Sequence, residues 1–202
     1  GPVIKKLASR SIQTDKRRNL FVIVTIALAA ALMAAIFCAG AGSDRKLEAD
    51  IRGQYQAVVV NCDRDMIEKL KDCPEVERWG LSQNYGSARY GDSVLTVEYA
   101  DANWMELGKK PSFTGMLPQA ANEILVERAF LDYFEIPAEV GQTIEVNLGN
   151  GKQTYTVSGI MDVENDSRMF QLYVSEAFVE EMAQGEPLFE FRLRYTGADG
   201  ME

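Results

Sequence analysis

The stretch Leu20 to Gly42, LFVIVTIALAAALMAAIFCAGAG, contains no charged side chain. As a helix it is roughly 34 Å long, enough to cross a hydrocarbon core of about 30 Å. Its one clearly polar side chain, Thr25, can bond back to the helix backbone. Core helices of soluble proteins usually keep a polar stripe, and signal-peptide cores run to about 7–15 apolar residues. We read residues 19–42 as a membrane anchor, with Leu20, Phe21, Ile23, Leu28, Leu32, Ile36 and Phe37 as its anchoring residues. Ala39-Gly40-Ala41 has the spacing of a signal-cleavage site, so a cleaved signal stays open as the alternative. The residues before Cys38 fit a lipoprotein site poorly.

Charge sets the orientation. Lys5, Lys6, Arg10, Lys16, Arg17 and Arg18 precede the run, against Asp15 alone. Removing these from totals of 21 Lys/Arg and 30 Asp/Glu leaves 15 against 29 after it. With Lys16, Arg17 and Arg18 as the flank, the positive-inside rule places the N-terminus in the cytoplasm and residues 43–202 outside a bacterial plasma membrane. Val3, Ile4, Leu7, Ala8 and Ile12 share one face of a helix whose other face is basic. Residues 1–18 therefore read as a basic amphipathic segment on the inner membrane surface. Gly1-Pro2 reads as a scar of tag removal. The acidity of residues 43–202 argues against nucleic acid as a partner and suits solubility.

Periodicity assigns the outer part to the α+β class, mixed and mostly antiparallel. Strands are predicted at Tyr55–Asn61, along Val76–Arg89, around Leu95–Tyr99, at Glu123–Glu127, at Phe170–Val174 and at Phe189–Tyr195. Short helices are predicted over Asp63–Asp72, Asp101–Leu107, Arg128–Glu135 and from Ser175 to about Gln184. Lys109–Asn122 reads as loop. Thr143–Leu148 and Tyr155–Val157 read as a hairpin with Asn150-Gly151 supplying the positive-φ residues. Ser43–Arg52 is polar and reads as a solvated continuation of the membrane helix. A helix between Cys62 and Cys73 holds them about 14 Å apart, beyond the roughly 7 Å limit for a disulfide. Both are expected as free, half-buried thiols.

Catalytic chemistry finds little to stand on. The chain has no His, which removes His-based triads and the commonest general base. No nucleophile elbow, P-loop or dinucleotide fingerprint is present. Asp162, Glu164 and Asp166 alternate as in a calcium loop, but Ser167 stands where the Gly is needed and Tyr173 where the Glu is needed. No catalytic, cofactor-binding or metal-ligating residue is assigned, and the protein is not expected to be an enzyme. The Asn165-Asp166-Ser167 sequon matters only in a eukaryotic secretory host.

Three stretches together resemble the permease subunits of FtsX/MacB-type ABC transporters. Leu7–Leu28 resembles their opening amphipathic helix, basic cluster and first membrane helix. Phe113–Val146 resembles the middle of their periplasmic core domain, through Gly115, Pro118, Glu123 to Val126, and Gly141. Tyr155–Ile160, with Gly159, resembles the return strand that follows. The resemblance implies a domain of two subdomains, a porter near residues 43–100 with 168–202 and a sabre near 101–167. It implies no cofactor of the chain's own. It also implies a cytoplasmic ABC ATPase, a homodimer or pseudo-dimer of permeases, and an extracytoplasmic adaptor or a peptide or lipid substrate. Its implied role is to transmit ATP-driven motion, exporting or releasing a substrate or regulating a partner. Family members carry further membrane helices after this domain, and no second apolar run follows here. The chain thus reads as part of a longer permease. The alternative is a single-pass, membrane-anchored sensor or ligand-binding module.

Overall fold

A computed structural model describes residues 49–52, 56–74, 76–108 and 110–195. The basic segment, the flank Lys16, Arg17 and Arg18, and the membrane run with Leu20, Phe21, Ile23, Leu28, Leu32, Ile36 and Phe37 lie outside the described residues. Among the described residues no helix is long and apolar enough to cross a membrane.

Among the described residues ten strands form one sheet: β1 (Ala49–Arg52), β2 (Gln56–Cys62), β3 (Val76–Tyr90), β4 (Ser93–Ala100), β5 (Phe113–Gly115), β6 (Glu123–Glu127), β7 (Thr143–Asn147), β8 (Lys152–Met161), β9 (Met169–Val174) and β10 (Phe189–Tyr195). Their order is β1-β2-β10-β3-β4-β9-β6-β8-β5, with β7 also on β8. Only β4–β9 and β6–β8 are parallel; the other pairs are antiparallel.

Four short helices pack on the sheet: α1 (Arg64–Lys71), α2 (Ala102–Leu107), α3 (Arg128–Tyr133) and α4 (Glu176–Met182). Three start at side-chain caps. Asp63 accepts from Met66 N at 2.8 Å, Asp101 from Trp104 N at 2.8 Å and Ser175 from Phe178 N at 3.0 Å. Each cap satisfies a backbone donor that the first helical turn leaves free. On one sheet face, Met66, Ile67 and Leu70 of α1, Phe130 and Leu131 of α3, and Phe178 and Val179 of α4 join the main core. Burying each such side chain contributes about 1.5–3 kcal/mol. The opposite face is covered by α2 through Trp104 and Met105, with Phe113 and Leu117 alongside. Gly80 permits this contact, because a Cβ there would lie 2.1 Å from Trp104 N.

Four expectations are corrected. Residues 49–52 are strand, not continuing helix, because β2 offers a ladder edge at Val59 to Gln56 and pairing overrides local helical tendency. The 109–122 loop contains β5, whose three residues are too few to show a period; Gly115 opposite Gly159 lets it lie on β8. In the β7–β8 turn the positive φ angles belong to Gly149 and Gly151, not Asn150. Asn147 Oδ1 accepts from both glycine N–H groups, at 2.9 and 3.1 Å, and draws the turn around itself. Cys62 is fully buried, while Cys73 is half-buried; both are free.

Candidate functional site

The five residues that carried the resemblance converge on β8. Gly115 lies opposite Gly159 and Glu123 beside Thr156. Gly141 N donates to Val157 O at 2.8 Å. Ser158 is bonded to the same loop: Met116 N donates to Ser158 O at 2.9 Å, and Ser158 Oγ donates to Met116 O at 2.9 Å. Pro118, two residues on, is buried. Glu123 closes the preceding loop by accepting from Ala120 N at 2.6 Å and Gln119 N at 3.2 Å. Gly115 holds φ +87°, where an added Cβ would meet Ser158 O at 2.4 Å; one on Gly159 would meet Met116 O at 2.7 Å. These residues let three segments approach one strand. They present no reactive group.

A second arrangement was not legible in the chain. On the face that carries α2, polar side chains form a row across four strands. Ser82 Oγ (β3) donates to Glu98 Oε1 (β4) at 2.7 Å. Gln171 Nε2 (β9) donates to Thr96 O at 3.1 Å and to Glu98 Oε2 at 3.4 Å. Gln171 N donates to Glu127 Oε1 (β6) at 3.2 Å. Asn165 Nδ2, in the loop after β8, donates to Glu127 Oε2 at 2.9 Å and to Met169 O at 2.7 Å. Glu127 is 6% exposed, so these donors replace its water. Burial pushes the Glu98 carboxyl above its ordinary range; Ser82, Lys110 and Arg192 oppose the shift and Glu190 adds to it. Burial likewise raises the Tyr173 phenol, with Glu98 and Glu127 adding to it.

Beside the row lies an open cleft of about 820 Å³ between α3 and the 162–168 loop. Tyr133 and Phe170 line it, and the Arg128–Asp162 ion pair, 2.8 Å, crosses its rim. Among the described residues no group of His, Cys, Asp and Glu is placed to hold a metal. The bonds of the polar row tie strands and loop laterally, and each needs exact geometry. Pattern reading missed the row, since one carboxylate among so many carries no signal until the pairing register is known.

A profile of the MacB-like periplasmic core domain matches residues 20–196. The chain belongs to this family. The extracellular domain of YknZ, a noncanonic ABC-type transporter from Gram-positive bacteria, has a similar fold: TM-score 0.53 and 15% identity, over 70% of this chain and 76% of that one. The periplasmic region of MacB from Actinobacillus actinomycetemcomitans gives 0.49 and 11%, over 72% and 76%. At such identities the likeness concerns fold, and the first comparison carries it. No match among curated protein sequences was found. The MacB-like domain is thus the extracytoplasmic core of an FtsX/MacB-like ABC transporter permease, a membrane-associated protein whose general partner is an ABC ATPase.

Proposed function

We propose that this domain is the outer lever of an ATP-driven permease. The supporting observation is that the family match begins at Leu20, the first residue of the apolar run, and continues to residue 196, spanning the run and the domain together. In this reading residues 19–42 cross the bacterial plasma membrane from a cytoplasmic N-terminus. A cytoplasmic ABC ATPase drives paired permeases, as homodimer or pseudo-dimer. The domain itself catalyses nothing. It moves as a body and so exports or releases a substrate, or regulates a partner, with an adaptor, peptide or lipid as the outer contact. The polar row supports a lever of this kind. Ser82, Glu98 and Gln171 belong to the segments read as porter, Glu127 and Asn165 to the segment read as sabre, and the row joins them.

The test is reconstitution of the permease with its ATPase, comparing wild type with Glu127→Ala. The expected result is ATP hydrolysis retained and transport or partner activation lost. Replacing residues 49–195 by an unrelated folded domain with full retention of transport would refute the lever.

A further inference from the structure

Asn150 is the one asparagine in the chain that a glycine follows. That dipeptide has a chemistry of its own. Once hydroxide takes the proton of Gly151 N, this nitrogen can attack the side-chain carbonyl carbon of Asn150. A bond forms from Gly151 N to Asn150 Cγ and the Cγ–Nδ2 bond breaks. The departing nitrogen takes a proton from water and leaves as ammonia. Water then opens the succinimide at either carbonyl, giving aspartate or isoaspartate at position 150. Glycine favours the step because it has no Cβ to obstruct the approach. Both residues are exposed, so hydroxide and water reach them.

The fold restrains this reaction at the nucleophile. Gly151 N donates to Asn147 Oδ1 at 3.1 Å, and Gly149 N donates to the same oxygen at 2.9 Å. A bonded amide proton is withheld from hydroxide, the condition that also slows hydrogen exchange. The electrophile is held too. Asn150 Oδ1 accepts from Tyr155 OH at 3.2 Å, and Asn150 O accepts from Gln153 Nε2 at 3.4 Å. Tyr155 is buried, so this anchor is fixed to the core. The turn must therefore open before the reaction can proceed. We propose that Asn150 is a deamidation site and that Asn147 sets its rate by holding the Gly151 amide proton.

The product matters because of where the turn lies. Asn150 and Glu181 of α4 line one cleft of about 490 Å³. A carboxylate at position 150 adds a like charge to that cleft, and isoaspartate also lengthens the backbone of the turn by one carbon. Either product is a one-way change from a neutral turn to a charged one. This inference does not depend on the lever reading. The competing role for Asn147 is to shape the turn without governing any chemistry, and the same experiment separates the two.

The full chain in detergent is incubated at mildly alkaline pH, and peptide mapping by mass spectrometry follows aspartate and isoaspartate at position 150. Hydrogen exchange of the Gly151 amide is read on the same samples. Wild type is expected to deamidate more slowly folded than unfolded in urea. Asn147→Ala should deamidate about tenfold faster than wild type, since two hydrogen bonds to the turn are lost, and its Gly151 amide should exchange faster by the same factor. Asn147→Asp keeps a side-chain oxygen in place and should stay near wild type in both measurements. Equal rates in the folded and unfolded chain, or an Asn147→Ala rate equal to wild type, overturns the proposal. So does faster deamidation of Asn147→Ala with Gly151 exchange unchanged, because the amide proton is then not the control point. If Asn147→Ala disturbs the fold, wild type in graded sub-denaturing urea decides: Gly151 exchange and loss of the Asn150 amide must rise together.

Discussion

Asn165 Nδ2 meets Glu127 Oε2 at 2.9 Å across 38 positions of chain, and this bond fastens the 162–168 loop to the end of β6. Asn165 also holds its own loop, accepting from Ser167 N at 2.9 Å and Ser167 Oγ at 2.6 Å. Asn165→Ala leaves a buried carboxylate short of a donor, at a cost of about 1–3 kcal/mol. Urea unfolding should show the midpoint fall with an unchanged slope. An unchanged midpoint would mean that water replaces the amide at no cost.

Gly80 is a steric requirement. The nearest neighbours of an added Cβ are backbone atoms of Asn103 and Trp104, at 2.1 to 2.7 Å, so no rotamer relieves the clash. Gly80→Ala must lift α2 from β3 and disturb the Arg192 guanidinium, now 4.0 Å from the Trp104 ring centroid. The expected cost is about 1–3 kcal/mol, together with a shift in Trp fluorescence. Gly86→Ala is the contrast, since its φ is +83° with nothing within 4 Å; only backbone strain of about 1–2 kcal/mol applies. Equal spectra for both variants would contradict the packing assigned to Gly80.

Glu98 makes stability fall with rising pH. Burial raises its native pKa, so the folded chain holds this proton more tightly than the unfolded chain. The contribution is present in full below the unfolded carboxyl value and is lost as pH rises through the native one. Asp101 is raised by burial in the same sense, so the difference between wild type and Glu98→Gln isolates Glu98. The variant should be the more stable at neutral pH, with the gap closing in acid. A gap independent of pH would exclude Glu98 as its source.

The two described thiols should react unequally. Burial pushes Cys62 up to about 12, and its side chain is sealed under α1, so neither thiolate nor access is available. Cys73 is half-buried at the end of α1, with Sγ 3.3 Å from Lys69 O. Alkylation of the folded protein followed by peptide mapping should modify Cys73 and spare Cys62 until denaturant is added. Early modification of Cys62 would show that α1 opens below global unfolding.

Local structure was largely written in the chain. Apolar alternation at Leu95, Val97 and Tyr99 marks β4, Asp63 and Ser175 mark helix starts, and Gly91-Asp92 marks a turn, because each signal acts over a few residues. Gly115, Pro118, Glu123, Gly141 and Gly159 stood out for the same reason, since turns and close approaches demand particular residues.

What the sequence by itself determined is an apolar run of membrane-crossing length, an acidic α+β domain beyond it and the family to which that domain belongs. Tertiary structure decided the rest. Which carboxylates share a face and where β5 finds a partner depend on register between strands distant in the chain. A one-residue slip turns every side chain and every backbone group to the other side, so no local pattern can specify them. Glu127 and Asn165 are ordinary polar residues until the parallel β6–β8 pair and the antiparallel β6–β9 pair bring the loop after β8 beside the end of β6.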